Sequence, residues 1–215
     1  MSWLRRALVL LILIAAAAQT AVSVAQAHPH VWIVSRSEVL YAPDGTITGV
    51  RHAWRFDDAF SAYAVQGLTS KEKGVYSRED LAPLAQTNVE SLKEFAYFTF
   101  AKVEGKKQKF LEPTDYHLEY KDAALTLFFT LPLRTPVKTQ ELSLEVYDPS
   151  YFIEFTFEDK DPVKLVGAPN NCRLAFQRPS DGSANAAKLG EENFLSGDNS
   201  NYGAMFANKI AVTCP

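Results

Sequence analysis

The chemistry open to this sequence gathers in two stretches, AHPHVW at residues 27–32 and WRFDDAFS at residues 54–61. Imidazole nitrogens and carboxylate oxygens are the usual donors to Zn²⁺, and imidazole also suits copper and nickel. His28 and His30 stand either side of Pro29, and Asp57 and Asp58 are adjacent. In a chain that starts at His28, the free α-amine and the Nδ1 of the same residue can chelate one ion. Pro29 removes a rival geometry. A histidine at the third position binds Cu²⁺ or Ni²⁺ in a square plane through deprotonated backbone amides, and proline has no N–H to lose.

Whether His28 becomes a terminus depends on what precedes it. Arg5 and Arg6 lead into a wholly apolar run at residues 7–18, and Ala25-Gln26-Ala27 follows a stretch of small residues. This is the pattern of a secretory leader cleaved after Ala27. The apolar run is shorter than the ~20 residues a bilayer span needs, and no later stretch approaches that length. The expected product is an exported chain, residues 28–215, without a membrane span. It reads as a single domain, and residue 105 is where a subdivision would fall. Losing two arginines makes a chain of formal net charge −3 more acidic still, which argues against nucleic acid as a partner.

The two cysteines, Cys172 and Cys214, enclose a stretch rich in Ser, Asn and Gly. In an oxidising compartment they read as one structural disulfide, worth about 4 kcal/mol in the chain-entropy description. The C-x-x-C spacing of a redox or metal pair is absent.

The elements that position the histidines and acids begin with a hairpin. VWIVSRSEVLY and ITGVRHAWRF flank APDGT, where Pro43-Asp44-Gly45 favours a tight turn. Residues opposed across such a turn have numbers summing to roughly 88 or 89, which sets His30 opposite residue 58 or 59. The histidine end and the acidic end of the hairpin therefore meet. His52 lies about 20 Å along its strand from Asp58, too far to share an ion. His52 and His117 are read as packed or surface histidines.

Leu81, Leu84, Asn88, Leu92 and Phe95 recur at helical spacing, with Ser77 and Asp80 as capping residues. They predict one main helix over about 78–97, its start confined by Pro83. Strand patterns dominate elsewhere: YFTFAKVEG, KKQKFLEP, YHLEY, ALTLFFTLPL, ELSLEVYD, YFIEFTFED, KLVG, CRLAFQRP and KIAVTC, with a short helix predicted over 183–195. One helix between strand runs gives an α+β fold, mostly antiparallel.

HPHVW, WRFDDAFS, the helix leading into YFTF, VYDPSYF and the terminal VTCP together resemble the DUF1007 family, across essentially the whole mature chain. The resemblance implies a periplasmic accessory role in divalent-metal transport beside nickel/cobalt-type (NicO/RcnA-like) membrane permeases, with zinc a favoured cargo. The long histidine-rich stretch of some members is absent here, which points to a single site. The resemblance also draws in Asp148 of VYDPSYF, a residue that a turn before Pro149 explains equally well. The candidate ligands are then His28, His30, Asp57, Asp58 and Asp148. Three functions compete: a metal-binding accessory protein, a copper enzyme with an N-terminal histidine brace, and a metal-free envelope domain.

Overall fold

The structure is a computed structural model that describes residues 29–70, 72, 74–179 and 202–215. The leader, His28 and the short helix predicted over 183–195 lie outside the described residues. No described helix is long and apolar enough to cross a membrane.

Two sheets face each other. In the first, β1 (Val31–Tyr41) and β2 (Ile47–Phe56) form the central hairpin. Beside β2 run β6 (Ala124–Val137) and then β5 (Tyr116–Lys121). On the other side of β1 lie β8 (Ile153–Phe157) and β9 (Val163–Val166). The second sheet has the order β10 (Arg173–Gln177), β11 (Asn208–Thr213), β7 (Glu141–Val146), β3 (Thr99–Val103), β4 (Lys106–Lys107). Both sheets draw strands from either side of Gly105, which sits in the β3–β4 turn.

The hairpin register is the one the turn chemistry predicts: Ile33 pairs with Phe56 and Leu40 with Gly49. Gly45 takes φ +82°, which a β-carbon would disfavour, and Asp44 accepts the Thr46 N–H at 3.0 Å. Alternation then buries Val31, Ile33 and Val39 from β1, and Trp54 and Phe56 from β2. Leu127, Phe129 and Leu131 of β6 complete that inner layer, and Leu142, Leu144 and Val146 of β7 face it from the second sheet.

Four features depart from the sequence expectation. Strands β8 and β9 pair with β1 in parallel. The chain reaches β8 from β7 in the other sheet, so it enters beside β1 running the same way. The acidic pair opens a helix, α1 (Asp58–Ala64), too short for periodicity to show. KKQKFLEP supplies only the two residues of β4 and an isolated bridge from Phe110 to Leu133.

The main helix, α2 (Arg78–Leu92), starts as expected, with Ser77 and Asp80 in a reciprocal capping box. It ends five residues early, giving way to a 3₁₀ segment, Lys93–Phe98. Its buried stripe is Leu81, Ala85 and Val89, whereas Phe95 is half exposed. Tyr97 and Phe98 are drawn into the core instead. To turn them inward and enter β3, Ala96, Tyr97 and Phe98 take φ of 51°, 54° and 46°. Left-handed backbone costs non-glycine residues about 1–2 kcal/mol each, so this turn is held by the burial of its two rings.

Cys172 and Cys214 are disulfide-bonded and tie the end of the chain beside the paired strands β10 and β11.

Candidate functional site

Three of the candidate residues come to one end of β1, and each does something definite there. On the β2 side, Asp57 faces Trp32. The Trp32 N–H donates to Asp57 Oδ2 at 3.0 Å, and the Asp57 N–H returns to the Trp32 carbonyl at 2.9 Å. The other oxygen, Oδ1, accepts the Phe60 N–H at 2.8 Å and so caps α1. One carboxylate thus fastens both the start of β1 and the start of α1. Each oxygen keeps a second lone pair, since a carboxylate offers about four acceptor sites.

On the β8 side, Asp148 plays the matching part. It is 4% exposed, and its carboxylate accepts the Ser150 N–H and hydroxyl, both at 2.8 Å, and the Ile153 N–H at 3.0 Å. A buried carboxylate needs such donors to offset the water it loses. These bonds fold residues 148–153 into a turn that delivers the Phe152 carbonyl to the N–H groups of His30 (2.9 Å) and Val31 (3.3 Å). The Phe152 ring lies against the His30 imidazole, centroids 4.8 Å apart. Asp148 therefore bears on His30 through Phe152. Gly203 packs on the same turn, donating its N–H to the Pro149 carbonyl at 2.8 Å; a β-carbon there would sit 1.6 Å from the Asp148 carbonyl oxygen.

His30 itself is exposed, about 7 Å beyond Trp32 along the strand direction. Trp32 and Phe152, 48% and 47% exposed, flank it with apolar surface. Asp58 stands apart. It is open to solvent, 3.9 Å from Arg55, in the first turn of α1 where a negative charge suits the helix dipole. His28 lies outside the described residues. Among the described residues, no three His, Cys, Asp or Glu side chains form a metal-ligating group.

The other two histidines are accounted for by packing. His52 is 1% exposed between the sheets, against Trp54 and Phe129. Its Nδ1 lies 2.8 Å from Ser37 Oγ, and its Nε2 lies 3.2 Å from Thr99 Oγ1. Thr99 spends its own hydroxyl proton on the Tyr97 carbonyl, so Nε2 carries the ring proton and Nδ1 accepts from Ser37. Burial pushes this imidazole down to about 3. A Ser–His pair sealed this way meets no substrate. His117 stacks on Phe128 at the β5 edge and lies 3.5 Å from Glu119.

Sequence reasoning missed Phe152 and Gly203. The tract DPSYF signalled a turn, but nothing local tells that its last ring reaches β1, because the parallel β1–β8 pairing is a tertiary event.

The family model described as "Protein of unknown function (DUF1007)" matches residues 11–214. An "Uncharacterized protein" of Haemophilus influenzae is 26% identical over 196 residues, covering 87% of this chain and 91% of its own. An "Uncharacterized 15.5 kDa protein in trpE 3'region" of Spirochaeta aurantia is 30% identical over 94 residues, covering 43% of this chain and 66% of its own. Among solved structures, the Biomphalaria glabrata acetylcholine-binding protein type 1 aligns with a TM-score of 0.40 and 8% identity, over 90% of this chain and 88% of that one. A likeness so distant carries no function across.

Proposed function

The chain belongs to the DUF1007 family, and from that premise we propose that it is a periplasmic accessory protein that binds a divalent metal ion and passes it to a NicO/RcnA-like membrane permease. Zinc is the favoured cargo, with nickel, cobalt or copper as alternatives. One observation carries the reading: an exposed histidine stands at the start of a strand fastened on both sides, by Asp57 through Trp32 and by Asp148 through Phe152. Terminal residues usually fray, and so much bonding at the base of a terminal arm suits a ligand whose position matters.

His30 and His28 supply the imidazoles, and cleavage after Ala27 adds the amine of His28. Asp57 is the carboxylate best placed to join them, through the lone pairs that its two N–H donors leave free. Asp58 and Asp148 take supporting parts, the first as nearby charge and the second as the organiser of the turn beneath His30. Imidazole binds metal only when deprotonated, so the site loses its ion on acidification. An exposed site also suits a carrier that must hand its cargo on.

The copper-enzyme reading is weaker on a specific ground. A brace completes its nitrogen set with a remote histidine, and neither candidate reaches the start of β1. His52 is sealed in the core, and His117 lies three strands away, about 14 Å across the sheet. Titration of the exported protein with Zn²⁺ and Cu²⁺, with His28→Ala and His30→Ala beside it, tests the proposal. Both substitutions should lower zinc affinity by about tenfold or more. Unchanged affinity in both would remove the site.

A further inference from the structure

A second feature adjoins the Asp148 turn, through Pro149 and Ala204, and does not include His30. The 3₁₀ segment after α2, strands β3 and β7, and residues 107–112 enclose a cleft of about 770 Å³. That is within the range of small-molecule sites, roughly 300–1,000 Å³. Its walls combine two chemistries. Phe100 and Tyr147, their ring centroids 4.8 Å apart, give it apolar surface, with Tyr97 buried beside them. Lys102, Lys107, Lys109 and Arg134 supply positive charge, and none of the four forms an ion pair among the described residues. The fifth cation, Lys93, is paired with Glu112; Glu145 is the other acid in the lining.

Solubility alone does not account for this arrangement. Lysines on a short edge strand such as β4 deter pairing with other chains, which explains Lys107. It does not explain Arg134, which comes from the opposite sheet. Nor does it explain Lys109, whose carbonyl accepts the Arg134 N–H at 2.8 Å and so holds the two cationic residues side by side. In a chain of net charge −3, four cations with no ion pair among the described residues, gathered around one concavity, form a local reversal of sign. The left-handed turn at Ala96 and Tyr97 forms part of the same wall. Strained backbone of that kind is concentrated at binding and catalytic sites.

We propose that this cleft binds a small organic anion with an aromatic or apolar body, such as an aryl or acyl carboxylate, sulfonate or phosphate. The rings take the body of the ligand, and Lys109 and Arg134 take its charged group, Arg134 through the two-pronged geometry that guanidinium offers to oxyanions. A concave site of this volume takes a small molecule in preference to a flat membrane surface. The inference is argued apart from the metal proposal: among the described residues none of the metal candidates lines the cleft, although Pro149, next to Asp148, does.

The probe is 8-anilinonaphthalene-1-sulfonate, titrated by fluorescence into the folded protein, with the uncharged N-phenyl-1-naphthylamine as its comparison. The sulfonate should bind saturably, and more weakly as salt rises. The neutral dye should bind about tenfold or more weakly. Lys109→Glu with Arg134→Glu should cost the sulfonate about tenfold or more, while Lys160→Glu with Lys164→Glu, outside the cleft, should cost it nothing. Thermal melts of each variant establish folding, and the milder Lys109→Gln with Arg134→Gln replaces the reversal if that variant melts early. Equal affinity for the two dyes, equal affinity in the cleft variants, or no saturable binding would overturn the proposal.

Discussion

His52 turns the core of this protein into a titration experiment. The imidazole is buried between the sheets, neutral, with its proton on Nε2 and its Nδ1 occupied by the Ser37 hydroxyl. Burial lowers it from 6.5 to about 3. The sign follows from proton uptake. Between those two values the unfolded chain holds a proton on this residue and the folded chain does not, so acidification favours unfolding. The stability from keeping His52 neutral is complete above about pH 6.5 and is lost progressively as pH falls toward 3. At ~1.4 kcal/mol per unit, the whole span is worth about 5 kcal/mol, of which about 3 kcal/mol is gone by pH 4. Urea denaturation of the wild type and His52→Gln across pH 3.5–7.5 reads this directly. At neutral pH the variant should be the less stable, having lost a fitted ring and its two hydrogen bonds. That gap should shrink on acidification by ~1.4 kcal/mol per unit between about pH 4 and 6, because only the wild type takes up one extra proton on unfolding. Parallel profiles would refute the reasoning, since they would mean that His52 titrates alike in the folded and unfolded chains.

Three further outcomes follow from named contacts. Cys172→Ser with Cys214→Ser, or reduction, should lower stability by about 2–4 kcal/mol, seen as an earlier calorimetric transition. Asp57→Ala removes the cap of α1 and the tie to Trp32 together, and should cost about 1–2 kcal/mol in urea, whereas Asp58→Ala should stay within about 0.5 kcal/mol. Gly203→Ala drives a methyl into the Asp148 carbonyl, which is backbone and cannot swing away; it should cost about 1–3 kcal/mol and loosen the turn under His30, visible as faster amide exchange at Ile153.

How far the sequence could be read depends on how local each feature is. The β1–β2 register follows from the turn and from alternation, so counting across Asp44-Gly45 sets the histidine end against the acidic end, as the structure has it. The helix start was legible because Ser77 and Asp80 are a local device. Its end was not. The chain leaves helical geometry at Phe95 so that Tyr97 and Phe98 can reach a core contributed by distant strands. The parallel partners of β1 were hidden for a similar reason. Alternation in FIEFTFE shows a strand with two unlike faces but says nothing about the direction of its neighbour. The acids were legible as residues that matter, less so in what they do. Asp57 and Asp148 share a spelling with metal ligands, yet each also serves backbone N–H groups, and only the fold shows how heavily. The basic cleft left no linear trace, because Lys102, Lys109 and Arg134 belong to three segments brought together by the sheets.

The most direct test of the metal proposal uses the four histidines as four reporters in one NMR titration. Zinc added to the exported, ¹⁵N-labelled protein should shift or broaden the imidazole signals of His28 and His30 up to one equivalent, and leave those of His52 and His117 in place. Signals of His28 and His30 that stay fixed while zinc binds elsewhere, or does not bind at all, would contradict the account.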